Sequence, residues 1–285
     1  IRFLMGWKAF YDMITRLADP SKQTPTWLLE IPMIELLYVE PALLFDHERE
    51  LYDALKRPVE TESRNAVFRS IIPGYHPWLP DMEELDVLET ALYQTYGMAM
   101  RVESDGLLLK NEFPRKILMR KQDAQGAWSE GWTEIKPIAD EEVEVRLSGD
   151  VLQALKDKPL WPMTVQLDLV FTPLTIGGEG VRPQTAYVLL AVDAVSGMII
   201  AEELFLATDG ISRMWAAIPE RLLALFKRLG GCPETIEIDC DRMANLLRPL
   251  GEFLPFKMVR RERLNALESA REKINAYMKK GEPKP

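Results

Sequence analysis

TVQLDLVF (164–171), AYVLLAVD (186–193) and MIIAEELFL (198–206) are three apolar runs of strand length in close succession. Helical ISRMWAAIPERLLALFKRL (211–229), a short strand TIEID (235–239), helical RMANLLRPLGEF (242–253), a strand PFKMV (255–259) and helical ERLNALESAREKINAYM (262–278) follow almost without gaps. The order is three strands, then helix, strand, helix, strand, helix. Gly177-Gly178-Glu179-Gly180 lies between the first two strands and reads as a hairpin tip, because it lacks the Lys-Ser/Thr and the following helix of a phosphate-binding loop.

Upstream of this block the pattern loosens. Ile1–Ala18 reads as a short strand running into an amphipathic helix, with Phe10, Met13, Ile14 and Leu17 on one side. Trp27–Leu43 carries prolines at 32 and 41 and is expected as strand pieces. Asp46–Lys56 is expected as a helix, Phe68–Trp78 as a turn-rich aromatic loop, and Asp81–Tyr96 as a helix capped by Asp81. Met98–Glu103, Lys116–Lys121, Ala127–Ile135 and Glu142–Leu147 read as a small meander before a helix near Val151–Lys156. The turn-rich stretch Lys156–Pro162 then sets the boundary: an α+β domain over 1–158 and an α/β domain over 159–285.

Composition narrows the function classes. Of 285 residues, 47% are hydrophobic and 28% charged, which is ordinary for a globular protein. The net charge is −9; residues 161–285 balance 16 basic against 16 acidic side chains, so the whole deficit falls in residues 1–160. A duplex-binding surface needs a basic stripe that displaces counterions from phosphates. An acidic first half and a neutral second half argue against nucleic acid and for a protein partner. The two cysteines, Cys232 and Cys240, read as reduced thiols of a cytoplasmic protein, and two histidines are too few for a histidine-rich zinc site. The most apolar region, Tyr187–Ala207, is interrupted by Asp193, Ser196, Gly197, Glu202 and Glu203, so no membrane span is expected. Ile1–Gly6 has no cationic leader and no initiator methionine, so the chain reads as a trimmed piece of a longer protein.

Two resemblances follow from specific residues. Phe-Arg-Ser-x-x-Pro-Gly-Tyr-x-Pro-Trp at 68–78, the helix after it, the hairpin Val192-Asp193-Ala194-Val195-Ser196-Gly197, and Leu246–Leu250 together resemble an uncharacterised bacterial family of paired domains of unknown function. That family brings no activity with it. Residues 161–279 also resemble the ribonuclease-H-like catalytic core of DDE integrases and transposases, which implies a βββαβαβα domain. The matching features are Gln166-Leu167-Asp168, Val192-Asp193-Ala194-Val195-Ser196, and Pro233-Glu234-Thr235-Ile236-Glu237-Ile238-Asp239. Where that family has Asp-Asn-Gly after the second aspartate, this chain has Cys240-Asp241-Arg242, and the segment before its last helix is shorter.

The resemblance implies catalytic carboxylates at Asp168 and Asp239, with a third from Glu262, Glu268 or Glu272 on the last helix. Asp168 and Asp239 would be the metal ligands, for Mg2+ or Mn2+. Such centres hold two divalent ions about 4 Å apart. Alternation is compatible with convergence: Val165, Leu167, Leu169 and Phe171 share one face and Asp168 lies on the other, while Ile236, Ile238 and Cys240 oppose Glu237, Asp239 and Asp241. The plain alternative is a solvated sheet face, with Asp241 as N-cap of the helix at Arg242. Arg260, Arg261 and Arg263 form a basic cluster whose plain reading is a solvated helix start offset by Glu262, Glu268 and Glu272. Cys240, between two aspartates, reads as a small buried residue and not a reactive thiol. His76 reads as a loop histidine packed beside Tyr75 and Trp78, and those rings are the basis for a small-molecule site.

The departures from the DDE pattern favour a non-catalytic ribonuclease-H-like domain without cofactor, acting as an interaction or regulatory module of a bacterial protein. The competing expectation is a divalent-metal-dependent nuclease or strand transferase using Asp168, Asp239 and a glutamate of the last helix.

Overall fold

In the computed structural model, residues 1–19, 27–108, 115–138, 145, 147–178 and 180–281 are described, with the side chains of 173 and 275–281 outside the description. The chain forms two compact units. The first comprises Ile1–Trp27, Ile31–Ile72 and Pro77–Asp140; the second comprises Glu141–Pro285 together with two short upstream passages, Leu28–Glu30 and Pro73–His76.

In the first unit β1 (Arg2–Leu4) leads into α1 (Trp7–Ala18). Strand β2 (Met33–Val39), helix α2 (Asp46–Ala54) and strand β3 (Asn65–Ile71) follow, and the strands pair antiparallel in the order β1-β2-β3. Ala9, Met13, Met33, Ile34, Val67 and Ile71 are among its buried apolar residues. Glu48 is buried, and it survives there because Arg69 grips both its oxygens at 2.7 and 2.9 Å.

The 68–78 segment is less loop-like than its composition suggests. Residues 68–71 complete β3, Ser70 pairs with Trp78, and the His47 ring lies tilted against Trp78 at 4.0 Å between ring centroids. The long helix α3 (Met82–Ser104) starts at Asp81, whose side chain accepts from Glu84 N while Glu84 Oε2 accepts from Asp81 N. α3 runs through Met98–Glu103, which overturns the strand expected there. That segment sets Met98, Met100 and Val102 on one side of a period of two, but all but Val102 are Met, Ala, Arg or Glu, which favour helix once one is under way. The β4 (Lys116–Gln122) and β5 (Trp128–Glu134) hairpin completes the unit. The expected strand Glu142–Leu147 lies largely outside the described residues.

The second unit begins with α4 (Gly149–Lys156), so the changeover between units precedes this helix instead of following it. Leu155 explains the placement: it is buried in the same apolar cluster as the sheet that follows. β6 (Leu160–Ile176), β7 (Gln184–Asp193) and β8 (Ile199–Leu206) form two antiparallel hairpin pairs. α5 (Ile211–Leu229) crosses to β9 (Cys232–Ile238), and α6 (Asp241–Phe253) crosses to β10 (Lys257–Arg260). Helical crossovers are what parallel pairing requires; β9 pairs parallel to β6 and β10 parallel to β9, giving the order β10-β9-β6-β7-β8. α7 (Asn265–Gly281) is the last element among the described residues.

β6 is longer than its apolar run, and its register shifts between Trp161 and Thr164 and again between Phe171 and Thr175, each time across a proline that has no N–H to donate. Val165, Leu167 and Leu169 enter the large core with Leu189, Ile236, α5 and α6. Val170, Leu190 and Val192 enter a smaller core with Leu264, Leu267 and Ala270 of the α7 end. β7 is therefore buried on both faces, which accounts for its unbroken apolar run. Asp168 belongs to the face that carries α7.

The upstream passages join this unit through the backbone. Thr185 N donates to Gly74 O at 3.0 Å and His76 N to Pro183 O at 2.9 Å, flanking a Tyr75–Gln184 bridge. Gly74 has φ +90°, and a Cβ there would collide with Ala207. His76 and Tyr75 thus have structural places. No described helix is long and apolar enough to cross a membrane.

Candidate metal centre

The parallel register of β6 and β9 decides which side chains meet. Val165 stands opposite Ile236 and Gln166 opposite Glu237. Carried two residues further, the same register brings Asp168 level with Asp239, just past the end of β9. Cys240 follows as the N-cap residue of α6, a place expected for Asp241. Asp241 instead occupies the first turn and pairs with Arg260.

One oxygen each of Asp168 and Asp239 and the Cys240 Sγ all lie within 4.8 Å of one another. Asp168 and Cys240 are half-buried and Asp239 is exposed. Burial raises the Asp168 carboxyl to about 7, the Asp239 charge adds to the effect, and the Leu169 N–H, Arg271 and Arg242 oppose it. Asp239 is also raised, by desolvation first, against its own backbone N–H, the Cys240 thiol and Arg260; Glu268 raises it further. The Cys240 thiol is pushed up to about 12, mainly by burial, with both aspartates adding to it. Without a cation, this cluster retains protons near neutrality.

Glu262 does not join the cluster. It is exposed in the turn between β10 and α7, because Arg261 N still bonds Ile238 O at 2.8 Å and the helix starts only at Asn265. Glu268, on the first turn of α7, makes its field felt at Asp239, yet its carboxylate is held by Arg263 at 2.8 Å. Glu272 is exposed. The basic cluster is divided among acids: Arg260 to Asp241, Arg261 to Glu237 at 2.7 Å, and Arg263 to Glu268.

Two residues that the sequence shows only as parts of the matching motifs fix the scaffold. Gln166 and Glu237 are both buried; Gln166 Nε2 donates to Glu237 Oε2 at 3.0 Å, and Leu267 N donates to Gln166 Oε1 at 3.0 Å. This bridge ties β6, β9 and the first turn of α7 together directly beside the aspartates. A signal for it was present: Gln166-Leu-Asp168 and Glu237-Ile-Asp239 repeat one polar-x-Asp pattern on two strands that pair in parallel.

Comparison with known families adds a domain assignment without chemistry. Residues 151–275 match a domain of unknown function (DUF6930). Residues 2–120 match a second domain of unknown function (DUF7309). Two such domains cover the chain. No curated protein matches it.

Proposed function

We propose that the second unit is a ribonuclease-H-like domain that keeps a site for one divalent cation in place of a two-metal centre. It serves a bacterial, cytoplasmic protein as a non-catalytic interaction or regulatory module whose partner is another protein. The reading of the fold is supported by the strand order β10-β9-β6-β7-β8 with β7 antiparallel to its neighbours and helical crossovers after β8 and β9. The observation that carries the site is the approach of Asp168, Asp239 and Cys240 within 4.8 Å.

The donor chemistry fits one cation. Two carboxylates suit any hard divalent ion, and a thiol as third donor favours Mn2+ or Zn2+ over Mg2+. A second ion needs further carboxylates, and among the described residues Glu268 is committed to Arg263 while Glu262 stands outside. A bound cation would supply a local positive charge that replaces the proton held by Asp168. The chain's own residues do the rest: Gln166 and Glu237 fix the strand spacing, and Cys240 offers the donor that changes the cation preference.

Isothermal titration of the full chain with Mn2+, Zn2+ and Mg2+ tests this. One cation per chain is expected, weakest for Mg2+ and lost in Asp168→Asn; absence of binding removes the site. A nuclease reading draws on one observation, the field of Glu268 at Asp239. Mn2+-supported cleavage of a mixed nucleic-acid panel, abolished by Asp168→Ala and by Asp239→Ala, would replace the non-catalytic reading with it.

A further inference from the structure

β8 is one end of the five-stranded sheet, so one of its two backbone edges has no neighbouring strand. Ala201 to Leu206 pairs without interruption against Ala191 to Ala186, and a register slip beyond Ala191 ends the regular stretch there. Among the described residues, β7 is the only hydrogen-bonding partner of this main chain. Alternate N–H and C=O groups of such a run point away from the sheet, and they form a template for one more strand.

The side chains beside the edge specify what that strand carries. On the face that bears α7, Val170, Val188 and Leu204 form one row across the sheet, and Asp168, Leu190 and Glu202 form the next. Leu204 ends an apolar row yet is 53% exposed. A cavity of about 350 Å3 lies between it and α7, lined by Val170, Leu174, Val188, Leu190, Leu204 and Ile274. That volume is at the small end of ligand pockets, about 300–1,000 Å3, and its apolar lining suits apolar side chains. Arg271 borders it from α7 and Glu203 from β8, the latter engaged by Arg221 of α5 at 3.2 Å. Glu202 is exposed and forms no ion pair with any described residue. Acids on an edge strand discourage a second copy, because β8 laid against itself would set Glu202 and Glu203 of both copies on neighbouring strands. The same acids favour a basic strand.

We infer that β8 docks an extended segment of a partner protein as an added edge strand, and that this segment carries an apolar and a basic residue two positions apart. The apolar residue continues the row of Val170, Val188 and Leu204 and fills the cavity beside α7. The basic residue continues the row of Leu190 and Glu202 and pairs with Glu202. Side chains two apart share a face of a strand, so the spacing follows from the register and holds for parallel and antiparallel addition alike. This rests on the interaction reading above and gives it a docking edge that needs no cation.

The test is fluorescence anisotropy on the full chain with short labelled Ser/Thr peptides that carry Leu-Thr-Lys or Lys-Thr-Leu at the centre. At least one order is expected to bind. Glu202→Lys should weaken that peptide about 5- to 10-fold, and replacing the peptide Lys by Glu should restore affinity in that variant alone. Two further peptides carry N-methyl groups on alternate amides, one on the odd and one on the even positions. Strand addition predicts that one of them fails to bind while the other stays within a few-fold of the parent peptide; this arm alters no residue of the protein. Equal behaviour of the two methylated peptides shows that the main chain is not what holds the segment, and overturns the inference. So does equal affinity of the parent chain for the Lys and Glu peptides. If no peptide binds a chain that cleaves no nucleic acid, the docking edge falls and the non-catalytic reading stands. Peptide binding by a chain that does cleave nucleic acid supports the edge and removes only the non-catalytic reading.

Discussion

Asp168 combines a carboxyl raised to about 7 with an acidic neighbour across the register. An unfolded aspartate titrates near 3.8, so the folded chain binds more protons than the unfolded chain between those values. Stability attributable to this group is therefore fully present below about pH 4 and is lost as pH rises towards 7. Asp168→Asn should leave stability unchanged near pH 4 and raise it by on the order of 2–4 kcal/mol at pH 8, measured by denaturant titration across that range. A pH-independent difference would show that Asp168 is not the proton-holding group. Asp168 and Asp239 were legible in the sequence because strand alternation and a conventional crossover are enough to place them on one face. Glu262 was not well placed, because where the last helix starts is set by the backbone bond from Arg261 to Ile238 and by Gln166 receiving Leu267, both of them long-range events.

At the scale of elements, the start of the last helix is tied down by the amide bridge beneath it as well as by apolar packing. Among the described residues, Leu264, Leu267 and Ala270, with Ala266 and Ile274 beside them, form its apolar contact, and the Gln166–Glu237 bridge adds a directional one. Gln166→Ala leaves the Leu267 N–H without its acceptor and removes a partner from buried Glu237. It should cost about 1–3 kcal/mol and speed hydrogen exchange at the first-turn amides of α7; unchanged exchange at Leu267 would mean the helix docks by apolar contact alone. The strands of this unit were readable nearly to the residue where apolar runs coincide with pairing. β6 was underestimated because its prolines sit at register shifts that only the neighbouring strands reveal. α3 was cut short for the opposite reason: a period of two over Met98–Glu103 mimics a strand, and only the continuing helix decides against it.

At the scale of the whole chain, the short passages Leu28–Glu30 and Pro73–His76 carry no periodicity, so nothing in the sequence assigns them to the second unit. Their contribution is specific: Glu30 neutralises Arg242, and the backbone around Gly74 pairs with that of Pro183–Thr185. A fragment of residues 141–285 should accordingly unfold at a lower temperature than the same strands do within the full chain, followed by hydrogen exchange at β6 and β7. Equal protection would show that the passages add nothing to the unit. The charge balance is a whole-chain property of another kind. A net −9 concentrated in residues 1–160 opposes retention on polyanions.

Threading of this sort constrains heredity as well as folding. A recombination that swapped the leading half of the gene for a foreign module would discard an acid and a stretch of main chain on which the trailing half depends. Exchange of the two modules by a single splice is thereby penalised.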